Sequence, residues 1–235
     1  MYLTHAMSHK LKEVIRNISV DCVIFGYEKS TLEVLLVKRA IRPYAGRWAL
    51  PGGFIKKGER TEDAAKRVLE QMTGVADTYM EEIGIFDEID RYPLWRVFTV
   101  GHVALISPEH DALHAGTDTR EVKWFPLKEV PDLPFDHNKI LAVALEKIRK
   151  RVRYQPIGFE ILPEKFTLPQ LQKLYEVVLD EKIDKRNFRK KILSMHFIRK
   201  LNEKDKNGVR RPANLYMFDE KKYEKLKQKG FVFEL

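Results

Sequence analysis

Three positions of one predicted helix, 68, 71 and 72, are spaced so that their side chains share a face where carboxylates could jointly hold Mg²⁺. The helix is predicted over residues 61–73 and is closed by Gly74, a typical residue just past a helix C-terminus. The three positions hold Val68, Gln71 and Met72. Two of these side chains offer no oxygen ligand and the glutamine amide is neutral, so we expect no metal site, no cofactor and no metal-assisted pyrophosphate hydrolysis.

The segment around this helix resembles the Nudix box, GX5EX7REUXEEXGU, in which U is a bulky apolar residue. The frame of the pattern is kept by Gly53, Glu59, Arg67, Leu69, Gly74 and Val75. The remaining carboxylates do not replace the lost ones, since Glu70 points to a different side of the helix and Glu59 alone makes a weak site. The resemblance implies a Nudix-like domain whose pocket recognises a ligand without hydrolysing it.

Length and composition bound the class of protein. The 235 residues, 44% of them hydrophobic, are enough for one large domain or two modest domains with buried cores. A single cysteine, Cys22, excludes an internal disulfide framework and lies in an apolar run typical of a buried strand. No apolar stretch is long enough to span a bilayer, and the first residues lack a secretion signal. We therefore expect a cytoplasmic protein with no membrane partner.

The net charge is concentrated in the last third of the chain. Residues 1–150 carry 22 Lys and Arg against 22 Asp and Glu, whereas residues 151–235 carry 21 against 12. The whole excess of +9 lies in the second segment. This asymmetry predicts a basic module, with a polyanion as its partner, attached to a neutral one.

The neutral part, residues 1–153, reads as mixed strands and helices. Apolar, β-branched runs predict strands at residues 18–25 and 32–37, separated by a polar loop, and at 97–106. From Asn138, apolar residues recur at helical spacing until about Val152. With the Nudix resemblance, the expected fold class is α+β, a Nudix-like α/β/α sandwich followed by a second domain.

The second domain, residues 154–235, shows the element order of a winged helix-turn-helix. Thr167 and Gln170 form a predicted capping box at the start of one helix. Asp184 is placed to cap a second helix whose apolar face is Phe188, Ile192 and Met195. Two apolar strands follow, joined through an Asn-Gly pair that is typical of a hairpin.

This module predicts a surface for double-stranded DNA. The second helix of such a domain enters the major groove with its N-terminal residues nearest the bases, where arginine suits guanine and asparagine suits adenine. Basic residues of the hairpin suit a wing on phosphates. The predicted DNA-binding residues are Thr167, Lys185, Arg186, Asn187, Arg189, Lys190, Lys204, Lys206, Arg210 and Arg211. The alternative is a solvated lysine-rich surface, which accounts less well for charge, helix pair and wing together.

Beyond the Nudix box, nearly the whole chain resembles the Nudix-related transcriptional regulators, the NrtR family. The resemblance is carried by residues 154–172, by residues 184–193 and by the run Phe135-Asp-His137. It implies a dimeric repressor in which a Nudix-like effector domain is fused to a winged helix. Many members respond to ADP-ribose and control NAD genes. This chain is most similar to a branch that answers to L-arabinose and controls sugar metabolism genes, so the expected effector is L-arabinose, with ADP-ribose as the alternative.

The two effectors call for different side chains. A pyrophosphate requires basic groups, which Arg39, Arg42, Lys56, Lys57 and Arg96 offer. A free pentose requires an aromatic platform and hydrogen-bonding groups in a small cleft, and a tryptophan at position 95 would shrink a nucleotide pocket. The predicted effector-binding residues are Arg42, Trp48, Phe54, Trp95, Arg96, Asp136 and His137.

Several of these residues also have a purely structural interpretation. Trp48, beside its glycine turn, is expected more often in the core than as a ligand platform, and His137 has the alternative role of capping its helix. His102 lies on an apolar strand and is expected to be a core histidine. Arg67 is expected to make an ion pair within the box.

Two other function classes stay open at this point. An active Nudix pyrophosphohydrolase with a nucleic-acid-binding tail would need a metal site that Val68, Gln71 and Met72 do not provide. An RNA-binding adaptor would expose aromatic side chains for base stacking, whereas those of the basic module fall on predicted core positions.

Overall fold

A computed structural model describes residues 13–76, 78–108, 113–159, 161–205 and 212–234. The chain forms two compact units. The first is built from the residues up to Gly26 and from Glu33 to Leu145, and the second from Tyr27–Leu32 and from Glu146 onward. Among the helices in the described ranges, none has the length and apolar character needed to cross a membrane.

A seven-stranded mixed sheet forms the centre of the first unit. In space its main path runs β3-β2-β1-β6-β5, with β4 paired to β1 and β7 paired to β2. The long β1 pairs in parallel with β6 over nine residues and antiparallel with β4. The strands are β1 (Val14–Glu28), β2 (Thr31–Arg39), β3 (Trp48–Ala49), β4 (Gly52–Lys56), β5 (Glu81–Phe86), β6 (Phe98–Ile106) and β7 (Thr119–Pro126).

The turn between β1 and β2 is tighter than the polar loop predicted from the sequence. Both strands continue to its edges, and only Lys29 and Ser30 lie between them. These two residues have φ of 47° and 64°, which are the positive values required at both central positions of a two-residue type I′ turn. The four-residue polar segment is thus partly strand, because hairpin pairing takes precedence over local composition.

Helix α1 (Thr61–Thr73) carries the Nudix-box segment and packs its apolar side on the sheet. Gly74 ends it with φ of 82°, and the Gly74 N–H donates to the Glu70 carbonyl, as the sequence predicts. Helix α2 (His137–Tyr154) also matches the predicted helical period, with Ile140, Ala144 and Ile148 buried. It begins one residue before the predicted start and ends two residues after the predicted end.

The second unit contains helices α3 (Leu168–Leu179), α4 (Lys185–Ser194) and α5 (Glu220–Gln228) and a three-stranded sheet. Its strands are β8 (Phe166–Thr167), β9 (Ile198–Asp205) and β10 (Ala213–Phe218), in the spatial order β8-β10-β9. The antiparallel pairing of β9 with β10 is the predicted hairpin. The predicted turn at residues 206–208 lies outside the described residues, and α5 was not predicted.

Aromatic side chains fill the core of the second unit. Phe159 stacks on Phe218 with ring centroids 4.6 Å apart, and Phe197 contacts Phe159, Phe218 and Phe233 within 6.0 Å. Tyr175 is fully buried. These rings hold the hairpin against the helices, which fixes the orientation of α4 within the unit.

Candidate functional site

The Nudix-box segment brings β4 and α1 close together. A Cβ built on Gly53 would meet the Val68 side chain at 3.1 Å, so a larger residue at position 53 would require the Val68 side chain to shift. The glycine that begins the box thus allows a close approach of strand and helix.

Arg67 forms the ion pair within the box that the sequence predicts, and its partner is Glu59. Arg67 donates to both carboxylate oxygens of Glu59, with Nη2 to Oε2 at 2.8 Å, and also to the Phe54 carbonyl at 3.1 Å. The Lys56 N–H donates to Glu59 Oε2 at 2.8 Å. The hydrogen bond from Arg67, helped by this amide, lowers the pKa of Glu59. The carboxylate is charged, but it is engaged in holding the loop to the helix.

The helix face that would carry metal ligands is mostly part of the hydrophobic core. Val68 and Met72 are 4% and 8% exposed and belong to the cluster that packs α1 on the sheet. Gln71 is exposed, and its side-chain oxygen accepts from Arg67 at 3.3 Å. The described residues contain no group of three or more His, Cys, Asp or Glu side chains arranged to hold a metal ion. Two apolar side chains and one amide do not fit Mg²⁺.

Phe54 and Trp95, two predicted effector-binding residues, lie in what we term the ring cluster, which also contains Tyr92 and Phe135. The Phe54 and Trp95 rings are roughly parallel, with centroids 6.1 Å apart, and Tyr92 contacts both. Tyr92 also stacks on Phe135 at 5.7 Å. The rings therefore cover part of one another, which leaves less free ring surface for a sugar than isolated tryptophans would offer.

Three other predicted effector-binding residues have surroundings different from those of the ring cluster. Trp48 packs edge-on against Phe125 at 4.8 Å, with the Lys38 ammonium 5.5 Å from its ring centroid. The Arg96 guanidinium lies 4.6 Å from the Phe98 ring centroid. Arg42 is exposed. The structure thus does not bring all seven predicted residues into one pocket.

Asp136, another predicted residue, belongs to a buried ionic network. Arg91, only 6% exposed, donates Nε to Asp136 Oδ2 at 3.0 Å and Nη2 to Asp136 Oδ1 at 2.8 Å. The same Nη2 donates to Asp21 Oδ2 at 3.0 Å. Burial alone would lower the pKa of Arg91, but the bonds and charges of the two aspartates outweigh it and raise that pKa. Arg91 is therefore charged, and its charge is compensated.

His137 completes this network from the first turn of α2. Its Nδ1 accepts a hydrogen bond from the Leu50 N–H at 3.0 Å, so this nitrogen carries no proton. Its Nε2 lies 3.6 Å from Asp21 Oδ1. Burial lowers the pKa of His137, which keeps the ring neutral at neutral pH. Both ring nitrogens are directed at protein groups, so this arrangement does not present the ring to a ligand.

The predicted DNA-binding helix is capped as the sequence predicts. Asp184 accepts a hydrogen bond from the Asn187 N–H at 2.9 Å, which satisfies one of the free amides of the first turn of α4. Phe188 and Ile192 are buried and fix the helix on its apolar side. The exposed side chains on the rest of α4 include Lys185, Arg186, Asn187, Arg189 and Lys190. The structure therefore places the predicted cationic and amide side chains of α4 together on its solvent-exposed turns.

The remaining predicted DNA-binding residues have different surroundings. Lys204 is exposed on β9. Thr167 is 4% exposed, and its hydroxyl accepts from the Gln170 N–H at 3.3 Å within the capping box of α3. Its hydroxyl is therefore occupied locally. The other three, Lys206, Arg210 and Arg211, lie outside the described residues.

A groove of about 270 Å³ opens beside α4. Lys185 and Arg189, one helical turn apart, line it together with Asn214 of β10 and Leu168 and Pro169 at the start of α3. Cationic side chains above an apolar floor suit a sugar-phosphate backbone, because phosphates meet charge while deoxyribose meets apolar surface.

Comparisons with known proteins agree with both units. The NUDIX domain family model matches residues 15–146. A model described as the NrtR DNA-binding winged helix domain matches residues 158–218. The first match spans the seven-stranded sheet and α1, and the second spans α3, α4 and strands β8 to β10.

Two similar proteins, one of them represented by two crystal structures, extend this result. The "ADPR responsive transcriptional repressor NtrR" of Acinetobacter baylyi is 29% identical over 88% of this chain and 83% of its own length. Shewanella oneidensis NrtR, crystallised with a 27mer DNA, is 31% identical, with a TM-score of 0.74 over 92% of this chain and 97% of that one. The NUDIX domain of the same NrtR, crystallised with ADP ribose, is 34% identical, with a TM-score of 0.53 over 56% and 88%.

These matches confirm the predicted fold, a Nudix domain followed by a winged-helix domain. The Nudix model covers more than half of the chain, and a structure with both domains is matched over nearly its full length. This chain therefore belongs to the NrtR-like family of proteins that join a Nudix domain to a DNA-binding winged helix.

Proposed function

We propose that this protein is a ligand-controlled transcriptional repressor that binds operator DNA through α4 and releases it when an effector binds the Nudix domain. The observation that carries this proposal is the capped helix α4, with its apolar side buried and Arg186, Asn187 and Lys190 exposed. Such side chains read base edges in the major groove. Similarity to a repressor and to a DNA-bound NrtR supports the same function.

A homodimer is part of this proposal. Helix-turn-helix proteins that bind as two-fold dimers place their recognition helices in half-sites about 34–36 Å apart. A ligand acts on such a dimer only if it binds one arrangement of the two DNA heads more tightly than another. A coupling free energy of roughly 1–3 kcal/mol would weaken operator binding about 5- to 150-fold.

We also propose that the Nudix domain binds without hydrolysing. With ADP-ribose and Mg²⁺, the expected result is no AMP formation above a no-protein blank, because the helix face carries Val68, Gln71 and Met72. Chromatography of the products, with an active ADP-ribose pyrophosphatase in parallel, checks this. Magnesium-dependent turnover that disappears in Glu59→Gln would instead favour the hydrolase alternative.

The effector that we propose is L-arabinose, in a role controlling sugar metabolism genes. Three of the basic side chains expected to serve a pyrophosphate have separate surroundings: Arg96 covers Phe98, Arg39 donates to the Pro43 carbonyl at 2.9 Å, and Arg42 lies on the surface. This distribution favours an uncharged ligand. ADP-ribose is the second candidate, since the similar Nudix domain was crystallised with it.

The effector is tested by fluorescence anisotropy of a labelled operator fragment. This fragment is taken from the protein's own gene neighbourhood and is selected by its enrichment on the full-length protein. L-Arabinose and ADP-ribose are titrated side by side into the preformed complex. Release by L-arabinose alone is the expected result. Release by ADP-ribose alone would replace the proposed effector, and failure of the protein to prefer any fragment over random duplex would overturn the repressor proposal itself.

A further inference from the structure

Helix α5 carries its lysines on one side. The helix runs from Glu220 to Gln228, with Lys229 as its C-cap. Tyr223 packs on the aromatic core of the domain, and positions 221, 222, 225 and 229 are turned away from it at helical spacing. All four positions hold exposed lysines. We term these residues the lysine face: Lys221, Lys222, Lys225 and Lys229.

The carboxylates of α5 leave the charge of this face unbalanced. Glu224 pairs with Lys227 at 3.8 Å, and Glu220 lies in the first turn, where a carboxylate suits the positive end of the helix dipole. In the part of the chain that the structure describes, no carboxylate pairs with the lysine face. Like charges four residues apart, as in Lys221 and Lys225, destabilise a helix slightly. A bound polyanion would remove this cost.

Contacts at the start of α5 fix it beside the C-terminal end of α4. Phe197 lies three residues after the last residue of α4. The Asp219 N–H donates to the Phe197 carbonyl at 2.8 Å, and the Tyr223 ring centroid lies 5.6 Å from that of Phe197 and 5.7 Å from that of Phe218. Asp219 also caps α5 by accepting from the Lys222 N–H at 3.0 Å. Helix α5 is thus a fixed part of the DNA-binding domain.

This end of α4 is where a sugar-phosphate backbone is expected. A recognition helix directs its N-terminal residues at base edges, and in homeodomains its C-terminal end contacts the backbone. Lys191 in the last turn of α4 and Lys200 near the start of β9 are exposed on either side of Phe197 in the chain. Because duplex DNA carries one negative charge per roughly 1.7 Å of its axis, phosphates next to a half-site are available to a second basic element.

We infer that the lysine face is a second phosphate-binding surface, which contacts the backbone of double-stranded DNA beside the sequence read by α4. This inference rests on the proposed function, because it extends the DNA contact of the same domain. The surface lies beyond the match to the winged-helix family model, which ends at residue 218. It adds affinity without base preference, since contacts to phosphates position a protein but do not read sequence.

The first test measures the salt dependence of DNA binding in the full-length protein. Lys221→Gln/Lys225→Gln removes the two charges that lie most directly opposite Tyr223. The slope of log affinity against log salt is expected to fall by about 1 to 2, since each phosphate contact contributes roughly 0.9. Affinity should fall by similar factors for the operator and for a random duplex. Anisotropy titrations of both duplexes at several salt concentrations measure this.

Two further variants make this result specific. Lys57→Gln/Lys128→Gln removes the same charge from exposed positions of the Nudix domain and should leave the slope unchanged. Lys221→Arg/Lys225→Arg keeps the charge of α5 and should keep the wild-type slope. Lysine and glutamine have similar helix propensities, so all these variants are expected to fold. A wild-type slope in Lys221→Gln/Lys225→Gln overturns the inference, and so does an equal fall in the Nudix-domain control.

The second test locates the contact. Hydroxyl-radical footprinting of the wild-type protein on its operator is expected to show protected sugars outside the segment read by α4. In Lys221→Gln/Lys225→Gln this outer protection should be lost while the central protection remains. Outer protection that persists in the variant, or that is absent from the wild type, overturns the inference.

Two outcomes separate this inference from the proposed function. If the wild type prefers its operator and Lys221→Gln/Lys225→Gln changes neither slope nor footprint, the repressor proposal stands and the lysine face is only solvated. If the wild type prefers no fragment over a random duplex, the proposed function fails. A lower slope of the variant on random duplex would still establish the lysine face as a phosphate-binding surface.

Discussion

Replacing Arg186 by alanine is expected to weaken binding to the operator by roughly 5- to 150-fold and to change binding to a random duplex by less than about threefold. Arg186 is exposed on the first turn of α4, whose start is fixed by the Asp184 cap and whose apolar side is fixed by Phe188. A bidentate arginine–guanine pair is worth about 1–3 kcal/mol of discrimination against other bases. Anisotropy titrations of the variant on both duplexes measure the two losses.

Lys204→Ala is the matched control for this result. Lys204 is exposed on wing strand β9, at a position suited to phosphate contact. Its loss should weaken both duplexes alike and reduce the slope of log affinity against log salt by about one. Equal losses on both duplexes for Arg186→Ala would reassign Arg186 to the same kind of contact and leave base reading to other residues.

Local signals account for how well the second domain could be predicted. The capping box of Thr167 with Gln170 and the cap by Asp184 are interactions between residues three apart, so the sequence pattern contains both partners. The β9–β10 pairing also follows from neighbouring segments. Helix α5 was not predicted because it has few apolar residues at helical spacing. Its Tyr223 packs on Phe197, which lies outside the helix, and the residue spacing within a helix does not indicate such a contact.

The sheet of the first domain could be predicted only in part. The runs within β1, β2 and β6 are apolar enough to be recognised, since these strands lie in the middle of the sheet. Strand β5 alternates weakly, with Ile85 64% exposed, and was not predicted. A strand at the end of a sheet path is buried less, so its hydrophobic pattern is weaker.

The Nudix-box frame was the part of the site that the sequence could predict. An ion pair of Arg67 within the box was expected and is confirmed, with Glu59 as its partner, because both residues lie within one continuous motif. Pocket geometry was harder, since ring contacts such as Phe54 with Trp95 join residues far apart in the chain. Glu82 and His102 likewise become neighbours only through the register of β5 with β6, which no continuous motif records.

The Arg91 network was missed for the same reason, although one signal pointed to it. Asp21 lies in an apolar strand run and is 5% exposed. A carboxylate at such a position requires a buried partner, because an unpaired buried charge is strongly unfavourable. The sequence therefore indicates that a partner exists, but it does not identify a residue 70 positions away.

Arg91→Ala is expected to lower the free energy of unfolding of the Nudix domain by about 3–5 kcal/mol, the cost typical of breaking a buried ion pair by removing one partner. The substitution leaves the carboxylates of Asp21 and Asp136 without the guanidinium that donates three hydrogen bonds to them. Arg47→Ala is the matched control, because Arg47 pairs with Asp132 at 2.9 Å at the surface and exposed pairs contribute about 0–1 kcal/mol.

Urea unfolding followed by tryptophan fluorescence measures this loss in the full-length protein. All three tryptophans, Trp48, Trp95 and Trp124, lie in the first unit, so the signal reports the Nudix domain even if the two domains unfold separately. A large shift for Arg91→Ala with a small one for Arg47→Ala would establish the network as a stabilising element between β1 and α2. Equal small shifts would mean that solvent reaches the aspartates once Arg91 is gone, and that the network adds little to stability.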